Sequence, residues 1–400
     1  MPAPISEIWT LILAVLAIQL GILTHRLLPR LREWNIPPAI TGGLLIASLV
    51  TTARVAFGIE FHFADGIRQT LLLVFFVGVG LTAKFSALFR GGLGVAVICL
   101  AILVVISLQN LAGVAIASGF GLDKSLGLFF GSIPFLGGHG TAAAWAQATP
   151  AQGLEGALEV GMACATLGLI AGGLVAGPLA SWLIGRQSSL GGGASVRGEL
   201  IQEQPAPHLS TAELLNSDRW LAITLVIALC LALGEVLRQW AEQEGVVVPG
   251  FLAVMAVAVL LTNGADLLRH PVDMVVAELT GTVALRLFLA ISMMGLKLWE
   301  LEAFILPLLV TLVVQVAIVS LVGLLLVYPL LGRGYQGAVG CGGFIGFAMG
   351  AMPVGLGVMN RLTQNFGPAP KALLAVTLAA ALFADTANAL LVNLGFVLLK

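Results

Sequence analysis

Residues 131–147, GSIPFLGGHGTAAAWAQ, decide the architecture, because they are apolar enough to lie in a membrane yet crowded with glycine. A second segment of this kind, GCGGFIGFAMGAMPVGLG, occupies residues 340–357. Irregular backbone at membrane depth is tolerated only where it is buried in protein or lines a cavity. We therefore predict that the regions near 125–150 and 335–358 are re-entrant hairpins, each entering and leaving the membrane on one face.

The composition around these segments requires lipid as the solvent. Hydrophobic residues make up 59% of the chain and charged residues 10%, whereas soluble domains carry roughly 25% charged residues. Ten apolar runs approach the roughly 20 residues that a helix needs to cross a bilayer. They lie near 8–25, 36–53, 69–83, 92–118, 158–184, 219–237, 247–262, 281–298, 303–330 and 372–399.

The long polar segment 186–218, rich in Gly, Ser, Pro and charge, divides these spans into two sets of five. Residues 1–185 form the first membrane repeat and 219–400 the second, with a cytoplasmic linker between them. If the first span begins outside, both hairpins are needed to keep the alternation of faces consistent. Most of the 19 lysines and arginines then fall on the cytoplasmic side, as the positive-inside rule requires.

The two halves also match in sequence. VGVGLTAKFSAL, which contains Gly80, parallels SMMGLKLWEL, which contains Gly295, and the segments around Pro38 and Pro249 correspond at a similar offset. An odd number of spans per half places the repeats in opposite orientations. The sequence thus predicts an all-α polytopic membrane protein with two inverted five-span repeats and ten transmembrane helices. This pattern is typical of secondary transporters; a channel for small anions or solutes is the alternative.

Other function classes find no support in the sequence. The net charge of −1 provides no basic surface for nucleic acid. Metalloprotease, intramembrane aspartate-pair and P-loop motifs are missing, so we expect no enzyme activity and no direct use of ATP. The four cysteines stand singly in apolar stretches and read as buried small hydrophobes.

The tip of the first hairpin, Gly137, Gly138, His139, Gly140 and Thr141, is the first candidate binding site. Glycine permits positive φ and close approach of a ligand, and free N–H groups at a helix start suit a carboxylate. His139 is equally compatible with a structural role and with ligand contact. The second tip has few polar side chains, so binding at Gly350 and Pro353 would use backbone groups.

Four further residues are candidates because polar groups inside spans are costly. Asp385, the only carboxylate of the last span, predicts a sodium site with oxygens from Thr386 and Asn388. A structural ion pair with a neighbouring span is the alternative. Arg286 is compatible with a bidentate bond to a substrate carboxylate and equally with a side chain that extends to the cytoplasmic surface. Gln109, Asn110 and Gln315 fit interhelical hydrogen bonds as well as a substrate path.

Several strings together resemble the bacterial sodium/glutamate symporter family along nearly the whole chain. They are GGHGTAAAWAQ, EVGMACATLGLIAGGLVAGPLA, SLQN at 107–110, LFLAISMMGLKLWEL, NFGP at 365–368 and DTANALL. The resemblance implies ten spans with two re-entrant loops in the inner (plasma) membrane, and sodium-driven uptake of L-glutamate or a similar acidic amino acid. It also implies homodimers with a moving transport domain. The second loop, residues 350–354, departs from the family's threonine-bearing pattern, so a sodium symporter for another small carboxylate stays an alternative.

Overall fold

The computed structural model describes residues 2–33, 36–86, 92–148, 154–189, 216–244, 248–350 and 352–399. Within them, ten helices are long and apolar enough to cross a membrane, which confirms the predicted number. Spans 1 to 5 are Glu7–Leu27, Pro38–Phe57, Asp65–Thr82, Gly92–Gly119 and Ala157–Arg186. Spans 6 to 10 are Ser217–Gln243, Gly250–Leu267, Met274–Met294, Leu298–Leu330 and Pro370–Leu398. The predicted linker 186–218 lies mostly outside the described residues.

Each predicted hairpin consists of two helical arms. Hairpin 1 contains a 3-10 helix at Lys124–Phe130, a single turn at Ser132–Phe135 and a helix at Gly138–Ala148. Hairpin 2 contains the helices Tyr335–Gly350 and Met352–Phe366. Two very short strands, β1 (Pro2–Pro4) and β2 (Glu60–His62), pair in parallel beside the start of span 1.

The helices pack as two bundles. Spans 1, 2, 3, 6, 7 and 8 pack on one another, and we call them the frame bundle. Spans 4, 5, 9 and 10 pack with both hairpins and form the hairpin bundle. Glycines permit the closest approaches: a Cβ on Gly42 of span 2 would lie 1.7 Å from the carbonyl oxygen of Ala17 in span 1.

The ends of the elements define two faces, which we call outer, where span 1 begins, and inner. At the outer face, Gln147 near the end of hairpin 1 shares a cavity with His62. At the inner face, the Lys84 ammonium lies 2.8 Å from Asp266. The start of hairpin 2 is bonded to the residue after its last helix, because the Tyr335 hydroxyl donates to the carbonyl oxygen of Gly367. It is also bonded to the start of span 10, where the amide N–H of Ala372 donates to Gln336 Oε1 at 3.1 Å. The two ends of hairpin 2 therefore lie together. That each hairpin enters and leaves on one face, and that the two hairpins use opposite faces, stays a prediction.

Candidate functional site

Both hairpin tips line one cavity of about 550 Å³ where the two bundles meet. Seven of the residues singled out in the sequence lie in its wall: Gly137, Gly138, His139, Gly140, Gly350, Pro353 and Asp385. Pro37, Thr82 and Met274, at the inner-face ends of spans 2, 3 and 8, also line it. The cavity therefore extends from the hairpin tips towards the inner face.

The tip of hairpin 1 presents the start of a helix to this cavity. Gly138 has φ +70°, a conformation that favours glycine, and it begins the helix Gly138–Ala148. The first four N–H groups of a helix have no intrahelical partner, and the helix dipole adds partial positive charge there. Because Gly138, His139 and Gly140 line the cavity, this helix start is a site suited to a carboxylate.

Hairpin 2 brings a second helix start to the same cavity. Met352 and Pro353 line it and open the helix Met352–Phe366. Proline is compatible with the first turn of a helix, because its missing N–H would have no partner there. Two helix N-termini, one from each hairpin, therefore meet at one cavity.

Asp385 stands at a change of helical geometry in span 10. The preceding residues Ala380–Ala384 form a π-helical turn, and Ala380, Ala381 and Leu382 line the cavity beside Asp385. Such turns inside α-helices occur frequently at functional sites. The carboxylate and the irregular backbone thus lie together at the cavity wall, an arrangement that suits a cation.

His139 is held by a hydrogen bond whose direction can be assigned. The Thr166 hydroxyl donates to the carbonyl oxygen of Met162 at 2.9 Å, and His139 Nε2 lies 3.0 Å from that hydroxyl oxygen. A hydroxyl has one hydrogen, so the imidazole must donate from Nε2. His139 is 6% exposed. Its partner therefore fixes the ring in the tip, and Thr166 is a residue that the sequence reading did not single out.

Asn388 does not line the cavity but holds hairpin 1 against span 10. The Ser132 hydroxyl lies 2.6 Å from Asn388 Oδ1 and 2.9 Å from Asn110 Oδ1, and Asn388 Nδ2 donates to the Ser132 carbonyl oxygen at 3.2 Å. Ser132 and Asn388 are both fully buried. These polar side chains of spans 4 and 10 thus bond to hairpin 1 close to its tip. Ser132 was not among the candidates singled out in the sequence.

Three other candidates lie outside the cavity wall. Thr141 is buried one turn into the hairpin 1 helix, and Thr386 is half-buried beside Asp385. Arg286 is exposed on span 8, whereas its neighbour Leu285 lines the cavity. Consecutive helical residues point about 100° apart, so Arg286 does not share the cavity-lining side of span 8 with Leu285. Its two predicted roles, a bond to a substrate carboxylate and a side chain that extends to the surface, both stay predictions.

The charge of the cavity wall differs from what an anion site built on side chains would show. Among the described residues, its titratable side chains are His139, Glu278 and Asp385, and no described lysine or arginine lines it. Glu278, exposed on span 8, was not singled out in the sequence. Among the described residues, no group of three His, Cys, Asp or Glu side chains is placed to hold a metal ion. Neutral oxygens would therefore have to supply most ligands of a cation here.

A larger cavity of about 710 Å³ opens at the outer face. It carries both signs of charge, including an ion pair of Arg68 with Asp65 at 2.5 Å and one of Lys297 with Glu300 at 3.0 Å. None of the predicted binding residues lines it. Size alone therefore does not identify the site.

Comparison with known proteins gives a consistent result. The sequence model of the family described as sodium/glutamate symporter matches residues 4–368. The sodium/glutamate symporter of Escherichia coli (strain K12) is 35% identical over 387 residues, which cover 96% of each chain. That of Haemophilus influenzae is 34% identical over 390 residues, which cover 97% of this chain and 96% of the relative. These similarities extend over nearly the whole chain.

Proposed function

Because the chain belongs to the sodium/glutamate symporter family, we propose that it carries glutamate across the membrane together with sodium. The observation that supports this most directly is the meeting of two helix N-termini and Asp385 at one cavity between the bundles. A protein with ten membrane spans and a cavity lined by the starts of broken helices has the architecture of a secondary transporter.

We propose that the substrate carboxylates bind the N–H groups at the start of the hairpin 1 helix, around Gly138 to Gly140. Because no described residue of the cavity wall is basic, these groups and the matching helix start at Pro353 are the positive ends that the described wall offers. Buried, preorganised N–H groups interact with an anion more strongly than the same groups in water.

Sodium, in this proposal, binds at Asp385 beside the π turn. A sodium ion there would offset the negative charge of the carboxylate and so remove the repulsion that Asp385 exerts on an acidic substrate. The two binding events then favour each other, and linkage makes that coupling reciprocal. Thr386 and Asn388 remain predicted sodium ligands; Asn388 would have to share its Oδ1 with Ser132.

Glutamate carries a net charge of about −1 at neutral pH, so the membrane potential assists import only when more than one sodium ion accompanies it. Each net positive charge moved inward gains about 2.3 kcal/mol per 100 mV.

We place the protein in the inner membrane as a multi-pass homodimer. We expect it to transport its substrate without catalysing a reaction.

Reconstitution tests this function directly. Purified protein in liposomes should take up labelled glutamate when sodium is present outside and should show saturable, sodium-dependent counterflow. Potassium in place of sodium is the matched control. Flux that neither saturates nor depends on sodium would contradict a symporter and favour a channel.

Competition defines the substrate class. Unlabelled glutamate should suppress uptake most strongly, with aspartate, α-ketoglutarate and citrate as competitors. If a dicarboxylate without an amino group competes better than glutamate, the carrier acts on another small carboxylate, and the glutamate assignment is wrong.

A further inference from the structure

Gln109 and Gln315 occupy equivalent places in the two repeats. Gln109 lies on span 4 (Gly92–Gly119), and Gln315 lies on span 9 (Leu298–Leu330). Spans 4 and 9 are the fourth spans of their halves. Both side chains are fully buried. Equivalent position and equal burial suggest that the two amides do the same thing in each half.

Each glutamine donates to a hairpin of the other repeat. Gln315 Nε2, in the second half, lies 2.8 Å from the carbonyl oxygen of Phe130 in hairpin 1. Gln109 Nε2, in the first half, lies 3.2 Å from the carbonyl oxygen of Ala348 in hairpin 2. Carbonyl oxygens only accept, so the amide nitrogens must face them, which fixes both side chains. The two contacts are reciprocal across the halves.

The two accepting carbonyls have a particular need for such a donor. Phe130 is the last residue of the 3-10 helix Lys124–Phe130, and Ala348 lies in the last turn of Tyr335–Gly350. The final carbonyls of a helix have no intrahelical partner, and leaving one unbonded at membrane depth is costly. Each glutamine therefore completes the broken end of an arm that leads to a hairpin tip.

We infer that Gln109 and Gln315 are positioning residues that hold hairpin 2 and hairpin 1, respectively, each from the opposite repeat. Gln315 Nε2 also donates to the carbonyl oxygen of Gln109 at 3.0 Å, so the two glutamines are bonded to each other. Neither glutamine lines the cavity. They act on the substrate through the hairpins, and the part that concerns transport rests on the proposed function.

The test uses hydrogen–deuterium exchange of the full-length protein in lipid nanodiscs, without sodium or glutamate. Gln315→Met should raise amide exchange in hairpin 1, at residues 124–148, and Gln109→Met should raise it in hairpin 2, at residues 335–366. Loss of hydrogen bonds of this kind predicts exchange about 5- to 10-fold faster. This readout does not depend on what the protein transports.

Thr311→Val is the matched control for Gln315→Met. Thr311 lies one turn earlier on span 9, is fully buried, and has a hydroxyl without a hydrogen-bond partner among the described residues. Its loss removes a polar atom at the same depth without releasing a hairpin. Exchange in hairpin 1 and uptake should both stay at the level of the unmodified protein.

Gln315→Glu and Gln109→Glu keep the test decisive if the methionine variants fold poorly. A buried carboxyl without a cation stays protonated and can donate one hydrogen bond. Each glutamate variant should therefore fall between the parent and the methionine variant in exchange. In uptake assays at equal protein abundance, each Gln→Met variant should raise the KM for the substrate glutamate about 5- to 10-fold. The corresponding Gln→Glu variant should raise it less.

The crossed pattern is what distinguishes this inference from general destabilisation. Exchange that rises only in the span carrying the substitution, or equally in both hairpins, would overturn it. If each variant raises exchange in the hairpin of the opposite half but the protein does not transport glutamate, the roles of Gln109 and Gln315 stand and the proposed function is rejected.

Discussion

The Ser132 hydroxyl lies 2.6 Å from Asn388 Oδ1, at a point where both residues are fully buried. Hairpin 1 and span 10 are thereby joined through polar groups, one turn of helix beyond Asp385. The carbonyl oxygen of Ser132 accepts from Asn388 Nδ2 as well, at 3.2 Å. One side chain of span 10 thus sets the position of a hairpin whose tip is the proposed carboxylate site.

Asn388→Ala should loosen hairpin 1 and lower the stability of the protein. The change removes both buried hydrogen bonds between Asn388 and Ser132, although the Ser132 carbonyl oxygen keeps the amide N–H groups of Leu136 and Gly137. Loss of buried hydrogen bonds of this kind costs about 1–3 kcal/mol. The melting temperature of the purified protein should fall, and the apparent affinity for glutamate should fall with it. Asn393→Ala is the control, because Asn393 belongs to the same span but is only half-buried. Equal effects of both changes would contradict the role given to Asn388.

Asp385→Asn should weaken sodium binding far more than it lowers protein abundance. The substitution removes a charge at the cavity wall and keeps the shape of the side chain, so we expect the sodium concentration for half-maximal uptake to rise at least about 10-fold, equivalent to about 1.4 kcal/mol. Asp266→Asn removes a carboxylate that pairs with Lys84 away from the cavity, and sodium dependence should persist. An unchanged sodium requirement in a well-expressed Asp385→Asn protein would remove Asp385 from the ion site.

The number of spans could be predicted from the sequence because a bilayer sets the length of a helix. The re-entrant course of the hairpins was inferred from the need to keep loops on consistent faces, and it stays a prediction. Helix rotation could not be predicted, since a membrane helix is apolar on the side that faces protein and on the side that faces lipid. Arg286 and Leu285 show the consequence: they are neighbours, yet Leu285 lines the cavity and Arg286 is exposed.

The candidate site was predictable in its backbone and less so in its side chains. Clusters of glycine within apolar runs indicate the tips, because glycine favours breaks in a helix over regular helix. The partners Ser132 and Thr166 are ordinary hydroxyl residues in apolar segments, and hydroxyls in spans most often bond their own helix. Their roles depend on which helices meet, and that information is tertiary.

Gly168→Ala in span 5 should be strongly destabilising, whereas Gly173→Ala should be tolerated. A Cβ on Gly168 would lie 2.3 Å from the carbonyl oxygen of Met349 in hairpin 2, and one on Gly173 meets nothing within 4 Å. Overpacking of backbone against backbone costs about 1–3 kcal/mol or more. Abundance and thermal stability in detergent measure the difference. Similar behaviour of the two variants would contradict the packing of span 5 on hairpin 2.

The place of the substrate carboxylate can be tested at Gly140. A Cβ there would lie 3.2 Å from Phe75 Cε1 and 3.3 Å from Leu285 Cδ1, both cavity-lining side chains of the frame bundle that can shift slightly. The methyl group of Gly140→Ala would therefore occupy the gap beside the helix start, where the N–H groups face the cavity. We expect the apparent affinity for glutamate to fall at least about 10-fold, because a carboxylate bound to those groups must approach the backbone closely.

Two further variants make that test discriminating. Thr141→Val should change glutamate affinity less than Gly140→Ala does, because Thr141 lies outside the cavity wall. Arg286→Gln should change it less than about 2-fold, since Arg286 is exposed and does not line the cavity, so that a neutral amide there removes no contact with it. Binding of labelled glutamate to purified protein measures all three. If Arg286→Gln abolishes binding while Gly140→Ala binds normally, the carboxylate sits at Arg286, and the helix start of hairpin 1 is not its site.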